Sequence, residues 1–547
     1  MFMPHTRAHS RRTVILAATF VAAVVAAAGA LALRVSGNDG AVLLSGASYT
    51  EGVAGTYQRI NPLYASLNDV DADLSALVFA GMVRLAPDGS VIPDLAELPE
   101  ISEDDRTYTF TLKDNARWQD GQPVTSRDVA FTIRNITDPD YRGDPALTEG
   151  WLGAEVETPD DRTVIVHLRQ ASAPFLARSA TAGILPEHLL GSLSTAELEN
   201  AAFNSAPVGS GPYRLESVDS REAKLVANER YHLGRPGIER ITLRFYTDYA
   251  TAQRALTAGE IEGLLVRDQL TVDQVSTLEQ VKGVEVERLQ RSSLVLLYLN
   301  TSSVMFQDAR VRRAFSLAID REELVQRVYP GGATGSSSPI APGTWAYDET
   351  YEDTRPDIAE ARRLLEEAGW TANAASGILS RQGSEFRFTI RVDNDAVRVA
   401  IAGEIARQLE QLGVRATVAS TTFSVLRRDF LQERRYEAAV ATWEQGPDPD
   451  PYFGWHSSQM GSAGLNLANF EDAVVDELIA QGRTTNDHDV RLESYQQIQE
   501  VWQELAPGVV IAYPQFVYIH PQWLKNVSAG VLFTGSSRFT DVHLWRR

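Results

Sequence analysis

The sequence predicts a mixed α/β body of more than one lobe behind an apolar N-terminal segment. Three observations carry this. A chain of 547 residues exceeds what a single core ordinarily holds. An alternating strand, an amphipathic helix and a second alternating strand follow one another between Phe386 and Val418. Thr13 to Leu33 is a run of 21 uncharged residues, long enough as a helix to cross the hydrocarbon of a bilayer.

Taken in order, the first 12 residues form a basic tail with Arg7, Arg11 and Arg12 and no acid. That asymmetry predicts a cytoplasmic N-terminus and export of everything beyond residue 34. Residues 13–34 read as a retained transmembrane anchor or a cleaved signal segment; small residues around Ala30 and Ala32 suit a peptidase. Without any cysteine the chain carries no lipid anchor, no disulfide and no thiolate metal site. Ser10-Arg11-Arg12 is only a faint twin-arginine pattern, with Val14 in place of Phe.

Residues 35–40 are a polar linker, and Ala41 to Ser45 a small apolar strand. Tyr108, Phe110 and Leu112 alternate with polar neighbours, as do Val164, Val166 and Leu168 after the turn Pro159-Asp160-Asp161. In DIAEARRLLEEAGW, Asp357 caps a helix, Glu360 completes a capping box, and Gly369 ends it. Phe386, Phe388, Ile390 and Val392 then form a strand. Ala402, Ile405, Leu409 and Leu412 mark one face of a helix that Gly413 stops. Val414, Ala416 and Val418 complete a right-handed βαβ unit with parallel strands.

The net charge is −21, and it deepens to −25 once the four N-terminal arginines are set aside. Such a body argues against nucleic acid and anionic lipid surfaces as partners, and most of these acids serve solubility. No Gly-x-Ser-x-Gly elbow and no phosphate loop occurs, and beyond residue 34 no two histidines stand at metal-ligand spacing. Neither an enzyme, nor a cofactor, nor a metal is therefore expected.

The stretch WEQGPDPDPYFGWH, Trp443 to His456, stands out. Asp448 and Asp450 imitate a glycosidase pair. Yet two carboxyls on one short extended segment are poorly placed to flank a sugar bond. Pro447, Pro449 and Pro451 fix φ and make the loop stiff, and a stiff loop loses little entropy when it contacts a ligand. Trp443, Tyr452 and Trp455 offer flat surfaces for a chain-like ligand, while Glu444 and the aspartates offer acceptors. Trp455 would serve equally as core packing, and Asp450 as a turn cap. Arg391 and Asp393 point outward at the end of their strand, a usual site location in an α/β lobe.

Several segments resemble the extracytoplasmic solute-binding proteins of ABC importers, family 5, the oligopeptide and dipeptide binders. In YTFTLKDNARWQDGQPVTSRDVAFTI the residues Trp118, Asp120, Gly121, Pro123, Thr125, Asp128 and Val129 fall into that family's signature. Read physically, it is a strand, a tight Asp-Gly turn, and Thr125 capping a helix from Ser126, with Trp118 as core. ILPEHLL at Ile184, APVGSGPYRL at Ala206, ALTAGEIEGLL at Ala255, LNTSSVMFQDARVRRAFSLAIDREELV at Leu299 and LLEEAGW at Leu364 follow in the family's order, as does the proline-rich loop.

The resemblance implies a periplasmic-binding-protein-like type II fold: two α/β lobes joined by a two-strand hinge, plus an inserted third domain. Lobe I comprises 41–85, 205–293 and 511–547; lobe II is the insertion 86–204; lobe III is 294–510. Leu294 to Asn300 suits the first crossover and Val509 to Pro514 the return. The implied function is capture of an oligopeptide-like solute by a monomer that closes over it and presents it to ABC permease subunits in the membrane. Other solutes, such as an oligosaccharide or a metal chelate, and a sensor role stay open. The resemblance places Trp443, Glu444, Gln445 and Gly446 in the cleft and makes Ser48, Tyr49 and Glu51, after the first strand, part of a ligand-facing loop; Asp448 and Trp455 from the proline-rich loop, and Tyr298 and Asn300, which alternation puts on one face of the crossover, are further candidates. One departure matters. Where peptide-binding relatives carry an aspartate for the ligand's amine, this chain has Gln445, with Glu444 beside it; a neutral amide makes no charge-assisted bond to an ammonium.

Overall fold

The computed structural model describes residues 46–268, 270–352 and 355–547. The proposed anchor, the linker and the strand expected at Ala41 to Ser45 lie outside them. Among the described residues no helix is long and apolar enough to cross a membrane. The chain divides into two compact units, Met1–Ala47 and Ser48–Arg547; the second is described below.

Its backbone is a 12-stranded sheet. The key strand is Gly508–Pro521, GVVIAYPQFVYIHP, buried along almost its whole length, as a near-continuous apolar run predicts. Its first half pairs antiparallel with Ser293–Leu299, Val295 opposite Ala512 and Tyr298 opposite Gly508. Its second half pairs with Gly263–Val266 and Val284–Gln290. Pro514, which has no N–H to give, sits where the partners change. One strand thus belongs to both halves of the sheet.

On the Ser293–Leu299 side the order runs outward through Ala438–Glu444 and Arg387–Asp393 to Arg415–Thr421. Alternation divides Ser293–Leu299 between two cores. Val295, Leu297 and Leu299 join Phe306, Phe315, Phe386 and Phe388 on one face. Leu294, Leu296 and Tyr298 join Trp455, Tyr495 and Trp502 on the other. The expected βαβ unit is present: Arg387–Asp393 pairs parallel with Arg415–Thr421. Helix Ala396–Leu409 joins them, capped by the Asp395 carboxylate on two backbone N–H groups. Gly413, at φ +80°, ends the following turn in the left-handed region that favours glycine. Asp357 caps helix Ile358–Glu367 through the Glu360 N–H at 2.9 Å. The return half of the expected capping box is missing, because Glu360 turns outward to Arg363 at 2.6 Å.

On the other side lie Gly263–Val266, Ser48–Ala54, Arg240–Tyr246, Glu222–Ala227 and Tyr213–Val218. Here the structure departs from expectation. Ser48 to Glu51 is not a loop after a strand; it opens the strand Ser48–Ala54, paired with Arg240–Tyr246 from end to end. Tyr49 and Glu51 share its buried face and are fully buried.

A separate four-stranded sheet comprises Glu100–Ile101, Thr107–Thr111, Thr163–His167 and Glu155–Glu157. Beside it, helix Ser126–Thr137 starts as the sequence predicts, with the Thr125 N–H donating to the Asp128 carboxylate at 2.7 Å. Trp118 is fully buried, its indole Nε1 3.4 Å from Asp128.

Candidate ligand-binding cleft

The loop after Ala438–Glu444 is held by its own polar groups. The Gln445 N–H donates to the Ser292 carbonyl at 2.9 Å, and its side-chain amide donates to the Pro339 carbonyl. Arg491 Nη2 donates to both oxygens of Asp448, at 2.8 and 2.7 Å. Asp450 pairs with Arg483 and accepts the Tyr452 N–H at 3.1 Å, starting the short helix Tyr452–Trp455. Both carboxylates are buried. Burial pushes the Asp450 carboxyl above its ordinary pKa, against the pull of Arg483 and then Arg178. A glycosidase pair would need both carboxyls free beside a substrate; here each is committed to an arginine.

Two cavities of about 250 Å³ or more border this loop. One, of about 250 Å³, includes Arg267, Arg291, Tyr329, Arg398, Glu444 and Gln515 in its wall. Glu444 accepts from Ser293 Oγ at 3.0 Å and from Arg291 at 3.3 Å, with its side chain still 66% exposed. Burial pushes the Tyr329 hydroxyl up to about 12, so it stays a neutral donor. The other cavity, of about 890 Å³, lies between Gly446, Pro447 and Phe453 of the loop and residues 144–179. Leu147, Leu168 and Phe175 give it apolar surface, and Arg169, Arg178 and Arg483 give it positive charge. Glu444 to Pro447 is therefore shared: its acid borders one cavity and its bare Gly446 borders the other.

The remaining sequence candidates divide by burial. Trp455 is 4% exposed, stacked on Tyr298 at 5.9 Å and edge-on to Trp502 at 4.4 Å. Tyr298 is sealed in the same core, and its hydroxyl finds no acceptor among the described residues. Trp443 is half-buried; its ring packs tightly over Gly454, where a β-carbon would lie 3.1 Å away. Asn300 is buried and donates to the Arg434 and Tyr436 carbonyls. Tyr49 donates to Glu51 at 2.7 Å, and Glu51 accepts from Arg538 at 2.6 Å. Arg538 in turn holds Asp73. Ser48 is exposed at the start of its strand. Asp393 is buried and bound by Arg398 at 2.7 Å, and Arg391 lies over the Phe430 ring at 4.3 Å. Among all of these, Glu444 and Gly446 border the two cavities.

Sequence reasoning did not find the arginines. Arg178 and Arg483 line the larger cavity and Arg267, Arg291 and Arg398 the smaller. No local motif marks them.

The profile of the bacterial extracellular solute-binding proteins, family 5 middle region, matches residues 90–464. The oligopeptide-binding protein AppA of Bacillus subtilis is 29% identical over 491 residues, covering 88% of this chain and 89% of its own. The structure of that protein in complex with a nonapeptide superposes with a TM-score of 0.64 at 26% identity, covering 92% of this chain and 99% of the other. The ABC transporter substrate-binding protein CtaP of Listeria monocytogenes does so with a TM-score of 0.75 at 26% identity, with the same 92% and 99% coverage. The fold, the ordered segments and this match agree: the chain belongs to the bacterial extracellular solute-binding proteins, family 5.

Proposed function

We propose that this protein captures an oligopeptide-like solute outside the cytoplasm and delivers it to an ABC permease. The observation that carries the reading is the shared wall Glu444 to Pro447. It sets a carboxylate on one cavity and the side-chain-free backbone of Gly446 on the next, its carbonyl held only by a long bond from Ser292 Oγ at 3.4 Å. A peptide could pair its main chain with that backbone and direct its amine to Glu444, the mode in which extended peptides add to a strand. Asp448 and Asp450 would then serve the site from behind, holding the loop rigid through Arg491 and Arg483. No chemical step is involved. The family relatives with oligopeptide-binding names, and the nonapeptide bound to one of them, support the choice of ligand.

The three-lobe division and the hinge belong to the same proposal. Closure would bend the chain where Ser293–Leu299 and Gly508–Pro521 run side by side. It would bring together contacts such as the Ala173 N–H on the Arg483 carbonyl at 2.8 Å and Asn486 on Asp105 at 2.9 Å. Residues 13–33 would hold the body at the outer face of the membrane, and their apolar length is what supports this.

A second reading, a non-peptide solute, draws on Gln445. Its amide is committed to Pro339, and Glu444 already faces Arg291, so an ammonium must compete with a guanidinium for its acceptor. A thermal-shift screen separates the two. Peptides at about a hundred times Kd should stabilise the protein by about 2.7 kcal/mol, with oligosaccharides and metal chelates inert. Stabilisation by a sugar or a chelate and by no peptide refutes the peptide reading.

A further inference from the structure

The guanidinium of Arg178 differs from its neighbours. Arg491 has Asp448 and Arg483 has Asp450, one carboxylate each. Arg178 has no carboxylate of its own. Its one hydrogen bond among the described residues runs from Nη2 to the Asp450 carbonyl at 3.4 Å, long for a charged donor. Its Nε is buried without an acceptor. The Phe453 ring lies 5.8 Å from its carbon centre, and Gly446 lies against it, a β-carbon there standing 3.4 Å from Nε. Both carboxylate oxygens of Asp450 are taken, one by Arg483 and one by the Tyr452 N–H. Arg169, exposed on the same wall, also makes no ion pair among the described residues. Of the acids on this wall, Asp144 caps a helix through the Ala146 N–H at 2.9 Å, and Glu149 pairs with neither arginine.

The buried Nε–H without an acceptor costs free energy, and the half-exposed remainder of the guanidinium can take an arriving acceptor. We propose that Arg178 binds a carboxylate of the ligand in the 890 Å³ cavity, so that the solute is a chain bearing an anionic group beyond Gly446. This rests on the peptide reading and adds to it a specificity-determining residue from the inserted segment 86–204. Carboxylate and guanidinium match as a planar, two-bond pair. The apolar wall of Leu147, Leu168 and Phe175 would hold the adjoining side chains. The carboxylate could be the chain terminus or an acidic side chain.

The test uses the full chain and a casein digest as probe, half of it methyl-esterified so that every carboxyl is blocked. Bound peptides are released and quantified by mass spectrometry. The wild type should retain peptides from the free digest and at least tenfold less from the esterified digest. Arg178→Gln should lose that discrimination, and Arg178→Lys should restore part of it. Retained peptides resynthesised with a C-terminal amide, or with Asn and Gln for Asp and Glu, then assign the group to the terminus or to a side chain. Equal retention of free and esterified peptides by the wild type overturns the role of Arg178 while leaving peptide capture intact. Retention of no peptide from either digest overturns peptide capture itself, and this inference with it. Discrimination by Arg178→Gln equal to that of the wild type also overturns the role of Arg178; if that variant does not fold, Arg178→Lys is read in its place, with reduced discrimination expected.

Discussion

Asp448→Ala should destabilise the protein by about 3–5 kcal/mol, because it leaves Arg491 buried without its carboxylate. The pair is short and two-pronged, at 2.7 and 2.8 Å, with side-chain exposures of 12% for Arg491 and 4% for Asp448. The alanine also removes the acceptor of the Asp450 N–H, 3.1 Å away. Asp448→Asn keeps that acceptor and should be milder by about 1 kcal/mol. Unfolding entropy near 2.1 cal/mol/K per residue comes to about 1 kcal/mol/K for a unit running from Ser48 to Arg547. The alanine variant should therefore melt about 3–5 °C lower by calorimetry. The cycle completed with Arg491→Met and the double variant should show coupling of about 2–3 kcal/mol, since removing both charges leaves neither stranded. A drop below about 1 °C, or single effects that simply add, would refute the view that Asp448 is a strut of the loop.

Other consequences follow from the same geometry. Arg538→Met strands Glu51 and Asp73, both fully buried, and should cost about 3–5 kcal/mol in denaturant titration; a neutral effect would contradict the pairing. Burial, and then Arg84, hold the His543 pKa below its ordinary value. The unfolded chain therefore binds the extra proton first, and stability falls as pH drops from about 6.5 towards the lowered folded pKa. His543→Phe should flatten that slope between about pH 7 and 5, and an unchanged slope would sink the assignment. Glu444→Gln should leave the melting temperature alone and weaken free-amino peptides about tenfold relative to their N-acetyl forms; equal losses for both forms would remove Glu444 from the amine site.

The fold was legible where periodicity and caps coincide. The alternation from Phe386 and the helix stopped by Gly413 predicted a βαβ unit that the structure contains. The turn and cap from Trp118 to Asp128 were legible for the same reason, all their partners being local in sequence. Glu51 was not. An acid after an apolar segment reads as exposed, and its counter-charge, Arg538, is 487 positions away. The loop 443–456 was readable as stiff from its prolines, but the division of labour within it was not. Asp448 and Asp450 are buried against Arg491 and Arg483 while Glu444 stays exposed beside Arg291, and Arg483 and Arg491 come from a different part of the fold. Arg178 carries no pattern at all; its interest lies in a missing partner, visible only once Asp450 is seen to be fully used.

The most direct test of the central claim is mass spectrometry of whatever small molecule leaves the protein when it is purified from its native host and then denatured. The account predicts peptides, bearing a free carboxyl group, at close to one per protein. A saccharide or a metal chelate at that stoichiometry would contradict it.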